Sequence, residues 1–201
     1  MVDTGPSISE RAIENWFKSI PIEPEEIQLI ILTHGHADHV GAASQVKNIT
    51  GAKIAIHESD KGMFEQGEVV WPSPVTTWGH VAIKIMIPLT SLFRFPGANV
   101  EEVIGDGGLS LLEYGIPGRI IHTPGHTLGS VSVLLETGEA FVGCMTHNAP
   151  PFRLRPGLPI FAEDLSKLRD SWKLIIDQGA ETIYPAHGDS FPIGVILEAL
   201  S

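Results

Sequence analysis

The chain has 201 residues, 43% of them hydrophobic, and its 13 Lys and Arg against 24 Asp and Glu give a formal net charge of −11. That length suits one domain with a sizeable core, and the acidic balance repels polyphosphate backbones, so nucleic acid is not an expected partner. The single cysteine, Cys144, excludes an internal disulfide framework; with no leader-like pattern at the start and no long apolar run, a cytoplasmic protein without a membrane partner is expected.

In chain order, residues 7–20 (SISERAIENWFKSI) place Ile13, Trp16, Phe17 and Ile20 at helical spacing and predict an amphipathic helix capped by Ser7 or Ser9. The apolar run 27–33 (IQLIILT) predicts a buried strand, and a helix capped by Asp38 follows it. Residues 52–58 (AKIAIHE) alternate like the next strand. From 62 to 100 glycine, proline and aromatic residues break every period, as in a pocket-covering insertion rather than a turn, and no element is assigned there. Strands are predicted over 118–127, 130–136 and 139–144, then a helix over 161–179 closed by Gly179, and a last strand and loop in TIYPAHGD (182–189). Alternating elements with no internal boundary predict a single α/β layered domain over 1–201.

The chemistry concentrates in THGHADHVG (33–41), where His34, His36, Asp38 and His39 follow a strand. Side chains alternate along a strand, so His-x-His puts two imidazoles on one side, and each neutral ring offers a nitrogen to a divalent metal. Crowding these polar groups together without a cation would be costly. His126 in TPGHTLGS and His187 in YPAHGDS also follow strands beside glycines, and strand-end loops converging on one sheet edge would unite all six residues.

These motifs, THGHADH, TPGHT and PAHGD in that order, with VDTG at 2–5, resemble the ligand motifs of the metallo-β-lactamase superfamily, in their glyoxalase II-like and lactonase-like form. The resemblance implies a four-layer αββα sandwich, N-terminally short because only Met1 and Val2 precede the DTG motif. It implies two metal ions, the first on His34, His36 and His126 and the second on Asp38, His39 and His187. Zinc is expected, with iron or manganese as alternatives. Where the family usually has a bridging aspartate this chain has Cys144, which is expected to bind the second metal as a thiolate or else to be a packing residue. A strand edge left bare by the short start is expected to favour a homodimer.

The reaction this implies is hydrolysis of a small ester, thioester or lactone by a metal-bound hydroxide, with Asp38 orienting the water and taking its proton. Glyoxalase II shares the motifs but carries a helical C-terminal extension, for which the residues after His187 leave little room. The alternatives are a mononuclear iron persulfide dioxygenase and a metal-binding scaffold without turnover. His147 is expected to face substrate or to belong to an ordinary loop, His122 to orient its neighbours, and His57 and His80 to be structural or surface residues.

Overall fold

The structure is a computed structural model that describes residues 1–200, the side chain of Glu198 excepted. Its elements in chain order begin with α1 (Glu10–Phe17), β1 (Leu29–Ile31), α2 (Ala37–Val40), α3 (Ala43–Thr50), β2 (Lys53–His57), α4 (Glu58–Gln66) and α5 (Thr77–Met86). They continue with β3 (Glu102–Ile104), β4 (Leu109–Ser110), β5 (Gly118–His122), β6 (Val131–Leu135), β7 (Glu139–Phe141), α6 (Leu165–Asp177), β8 (Thr182–Tyr184), β9 (Phe191–Pro192) and α7 (Gly194–Leu200).

Two sheets result. The first is parallel in the order β1-β2-β3, and the second runs β4-β5-β6-β7-β8-β9, antiparallel except for the parallel pair β7 and β8. The period of two along each strand divides the apolar residues between layers. Ile30, Ile54 and Ile56 face outward into a core with Ile13 and Phe17 of α1, Val46 of α3 and Phe64 of α4. Leu29, Ile31 and Ala55 face inward and meet Ile120, Val131 and Val133 of the second sheet. That sheet's outer residues, Leu134, Ala140 and Ile183, pack on Leu168, Trp172 and Ile175 of α6 and Ile196 of α7. Helices, sheet, sheet and helices make the four-layer αββα sandwich, as expected.

Local departures have identifiable causes. Ser9, not Ser7, caps α1, its hydroxyl accepting from Ala12 N at 3.3 Å. Helix α6 starts only at Leu165, because the Asp164 carboxylate accepts from Ser166 N and Lys167 N at 2.8 and 3.0 Å. The predicted first turn, 161–164, instead supplies buried Phe161 and Ala162 to the loops around the site. The strand predicted over 139–144 ends at Phe141, and a 3-10 turn, Gly143–Met145, carries Cys144. Gly143 has φ +52, and a Cβ there would lie 2.7 Å from Thr33 Oγ1, so this turn requires glycine.

Residues 1–3 line the edge of β1 that the sequence suggested would be bare: Ile31 N donates to Met1 O at 2.9 Å and Asp3 N to Ile31 O at 2.8 Å. Backbone pairing of the chain itself thus occupies that edge of β1.

The unassigned stretch 62–100 contains the end of α4, the whole of α5 and a 3-10 helix, Ile87–Phe93. Thr76 Oγ1 caps α5 by accepting from Gly79 N at 3.0 Å. Ile83 packs on Ile160 and Phe161, with Trp71, Met86 and Phe152 around them. Trp78 Nε1 donates to Pro151 O at 2.9 Å, tying α5 to the loop that follows Cys144. This helix escaped periodicity because Trp78, Val81 and Ile85 on its outer face are exposed and apolar.

Candidate metal centre

All seven predicted ligands gather at one edge of the two sheets. His34 follows β1, His36 precedes α2, and Asp38 and His39 lie within it. His126 sits between β5 and β6, Cys144 just after β7, and His187 between β8 and β9. His34, His36, His39, His126 and Cys144 are buried. Asp38 does not cap α2, whose N-cap is His36; it occupies the first turn and faces His187 Nε2 at 3.2 Å and His39 Nε2 at 3.4 Å. The turn before His126 requires Gly125, at φ +139, where a Cβ would come within 2.4 Å of Leu168 N.

The hydrogen bonds orient the rings. Thr33 Oγ1 donates to Asp3 Oδ2 at 2.8 Å, so it is left to accept from His34 Nδ1 at 3.0 Å. His39 Nδ1 donates to the same Asp3 oxygen at 2.9 Å, and His126 Nδ1 donates to Phe161 O at 3.0 Å. In each case the other nitrogen, Nε2, is turned into the cluster. His34 Nε2 is buried there without a partner.

His36 Nδ1 and His126 Nε2 lie 3.0 Å apart, two ring nitrogens that need a proton or a cation between them. Ligand atoms of His34, His126 and Cys144 lie within 4.8 Å of one another, and so do those of His39, Cys144 and His187. Nitrogen, sulfur and oxygen donors in this arrangement suit borderline divalent metals. Cys144 belongs to both groups and is therefore placed to serve either position, not only the second.

Charge within the cluster compensates itself. Burial, reinforced by the neighbouring imidazoles, lowers His34 and takes His36 well below the usual histidine range. Burial also opposes charge on His39, but Cys144, Asp3 and Asp38 outweigh it and raise this imidazole well above its usual value. Burial would raise the Cys144 thiol, yet His39 and His126 bring it well below its usual value. For Asp38, burial is overcome by hydrogen bonds from His187 and His39 that hold the carboxyl below the usual range. For His187, burial is overcome chiefly by Asp38, and its pKa rises to about 9. A divalent cation would take the place of the protons on His39 and His187.

Several contributors were given no role from the sequence. Asp3, in the left-handed region at φ +51, orients His39 and also accepts from Thr33 N at 2.7 Å. Asp60, on α4, accepts from Gly35 N at 2.8 Å, Thr127 Oγ1 at 2.9 Å and Gly129 N at 3.1 Å, joining the His34–His36 loop to the His126 loop. No local spacing announces it. His147 is buried with Nδ1 unpartnered and lines the cavity, so the substrate-facing reading of this residue fits its position. His57 is buried, stacked on His122 at 4.0 Å, and both rings approach Asp106. A surface role does not apply to His57, while its structural role does; His80 is exposed.

If His36 is a ligand, His36→Ala will lower the metal content by at least one equivalent, measured by elemental analysis of the purified protein. Unchanged content would remove His36 from the centre.

An αββα sandwich with an imidazole-rich cluster where the strand ends of both sheets meet defines a class of proteins built to hold metal at a sheet edge. The chain belongs to the metallo-β-lactamase superfamily, whose family model matches residues 1–187. It is 31% identical over 199 residues to the beta-lactamase-like protein 2 homolog of Drosophila melanogaster, covering 98% of this chain and 57% of that protein. It is 32% identical over 119 residues to the hydroxyacylglutathione hydrolase GloC of Haemophilus influenzae, covering 58% of this chain and 49% of the enzyme. The matches thus span about half the length of these relatives. Among solved structures, the B3 metallo-β-lactamase BLEG-1 shares the fold with a TM-score of 0.69 at 21% identity, over 96% of this chain and 82% of that one.

Proposed function

We propose that this chain is a metal-dependent hydrolase of a small ester, thioester or lactone, with His34, His36, His126, Asp38, His39, His187 and Cys144 holding two metal ions. The observation that carries the reading is that two ligand groups share Cys144, and that His36, Asp38, His39, His126, Cys144 and His187 line the floor of a cavity of about 330 Å³. A divalent metal in these groups would make water acidic and polarise a carbonyl. Asp38, kept as a carboxylate by His187 and His39, is placed to orient the attacking water and accept its proton. The carbonyl carbon gains the water oxygen and loses the alcohol or thiol, which departs with a proton. Asp3 and Phe161 O keep His39 and His126 aimed at the centre.

The Haemophilus relative's name denotes hydrolysis of a thioester, which supports that bond type here. A thiolate donor favours zinc over iron or manganese. Among the described residues no helix is long and apolar enough to cross a membrane. The lone free thiol, buried at the centre, suits a reducing compartment such as the cytoplasm.

A panel of neutral esters, thioesters and lactones should be cleaved by protein loaded with zinc and spared after chelation. Oxygen uptake with a persulfide would instead assign a dioxygenase, and metal binding with no turnover on either panel a scaffold.

A further inference from the structure

The wall of the cavity differs in character from its floor. Val69, Val70, Trp71, Met86, Phe93 and Phe152 line it above the imidazoles, and no lysine or arginine does, although the chain has 13. The one polar atom of the Trp71 side chain is satisfied within the cover, Nε1 donating to Thr90 Oγ1 at 2.9 Å. Trp71 and Phe93 meet edge to face at 5.1 Å, and Phe152 sits 4.8 Å from His147 and 5.0 Å from His187. Arg153, the cation closest in sequence to Phe152, is turned to Leu158 O, to which its Nε donates at 2.6 Å. At the floor, His39 and His187 face Asp38 and Cys144, so these rings belong to the reacting end and not to the wall.

We infer that the non-reacting part of the substrate is an uncharged apolar group, an alkyl or aryl chain seated against this wall, and not an anionic tail. The inference rests on the hydrolase reading for which bond is cut, but the wall alone decides what is bound. A carboxylate moved onto this surface would lose its hydration and find no cation to replace it. The net charge of −11 adds long-range repulsion of anions. An alkyl chain loses only water, and each methylene buried adds affinity.

The test is calorimetric and needs no turnover. Butyl, hexyl and octyl methyl ketones, neutral carbonyl compounds without a leaving group, are titrated into metal-free protein, where no zinc can capture a carboxylate, beside keto acids of equal length that carry a terminal carboxylate. Affinity should rise by up to about fourfold per methylene until the chain fills the cavity, and each acid should bind at least about tenfold more weakly than its ketone. Val70 is 39% exposed at the rim, so Val70→Arg should fold and should narrow or reverse the preference against the acids. Affinity independent of chain length, or acids bound as tightly as ketones, would overturn the inference. A chain-length gradient with no cleavage of any ester, thioester or lactone would retain the apolar ligand and discard the hydrolase. Cleavage without a gradient would do the reverse.

Discussion

Asp60→Ala is expected to destabilise the protein by about 3–5 kcal/mol and to empty the centre of most of its metal. The side chain is 3% exposed and accepts three hydrogen bonds, two from backbone amides that have no alternative partner once it is gone. Hydrogen bonds to a charged group contribute roughly 1.5–3 kcal/mol each, and a buried donor left without an acceptor costs about 1–3 kcal/mol. Their sum exceeds the expected loss because the loops relax and the effects are not additive. Gly35, between His34 and His36, and Thr127, next to His126, both lose their anchor, so the rings lose their aim as well. Asp60→Asn keeps the shape but cannot accept at both ends and should fall between the two. Urea denaturation of metal-free protein isolates the structural part, and metal content reports the rest. An Ala variant within about 1 kcal/mol of the parent would show that the loops hold themselves.

Cys144→Ala is expected to weaken metal binding by at least about 100-fold at one position, since even partners that only orient ligands are worth about 10–100-fold. Hydrolysis should fall at least in parallel. Sγ is 3.3 Å from His39 Nε2 and shared by both groups, so its removal should also loosen the other position. Cys144→Asp returns an anionic donor that can offset the repulsion of two cations and should preserve or strengthen two-metal binding. Thiol labelling gives an independent reading, because a metal-bound sulfur becomes reactive when chelator strips the ion. Two tightly bound metals in the Ala variant, with labelling indifferent to chelator, would make Cys144 a packing residue.

How much of this was legible follows from the reach of each interaction. The strand before His34 could be read because three successive buried residues face two cores, and short parallel strands covered on both faces read as apolar runs. The residues that gather at the centre could be picked out because each lies in a compact motif beside a strand end. The layer order came from the resemblance, since strands of two to five residues carry too little period to fix it. Helix α5 was lost because its exposed face is apolar. Asp60 was lost because its partners lie 25, 67 and 69 residues away, and the backbone amides among them carry no sequence signature. Cys144 was read as the end of a strand, whereas it lies in the turn after β7, and its position between the two groups emerges only when β7 lies beside the strand ends of the first sheet.

The division of the strands has a consequence for the order of events in folding. Residues 29–104 supply every strand of the first sheet, residues 109–192 every strand of the second, and most neighbours in space are neighbours in sequence. Each sheet can therefore assemble from its own length of chain, although the parallel pairs β2–β3 and β7–β8 close long loops. His34, His36, Asp38 and His39 belong to the first length, and His126, Cys144 and His187 to the second. The centre comes into being only when the sheets meet, so a bound metal would act as a clasp, retarding unfolding while leaving the climb to the native state nearly untouched.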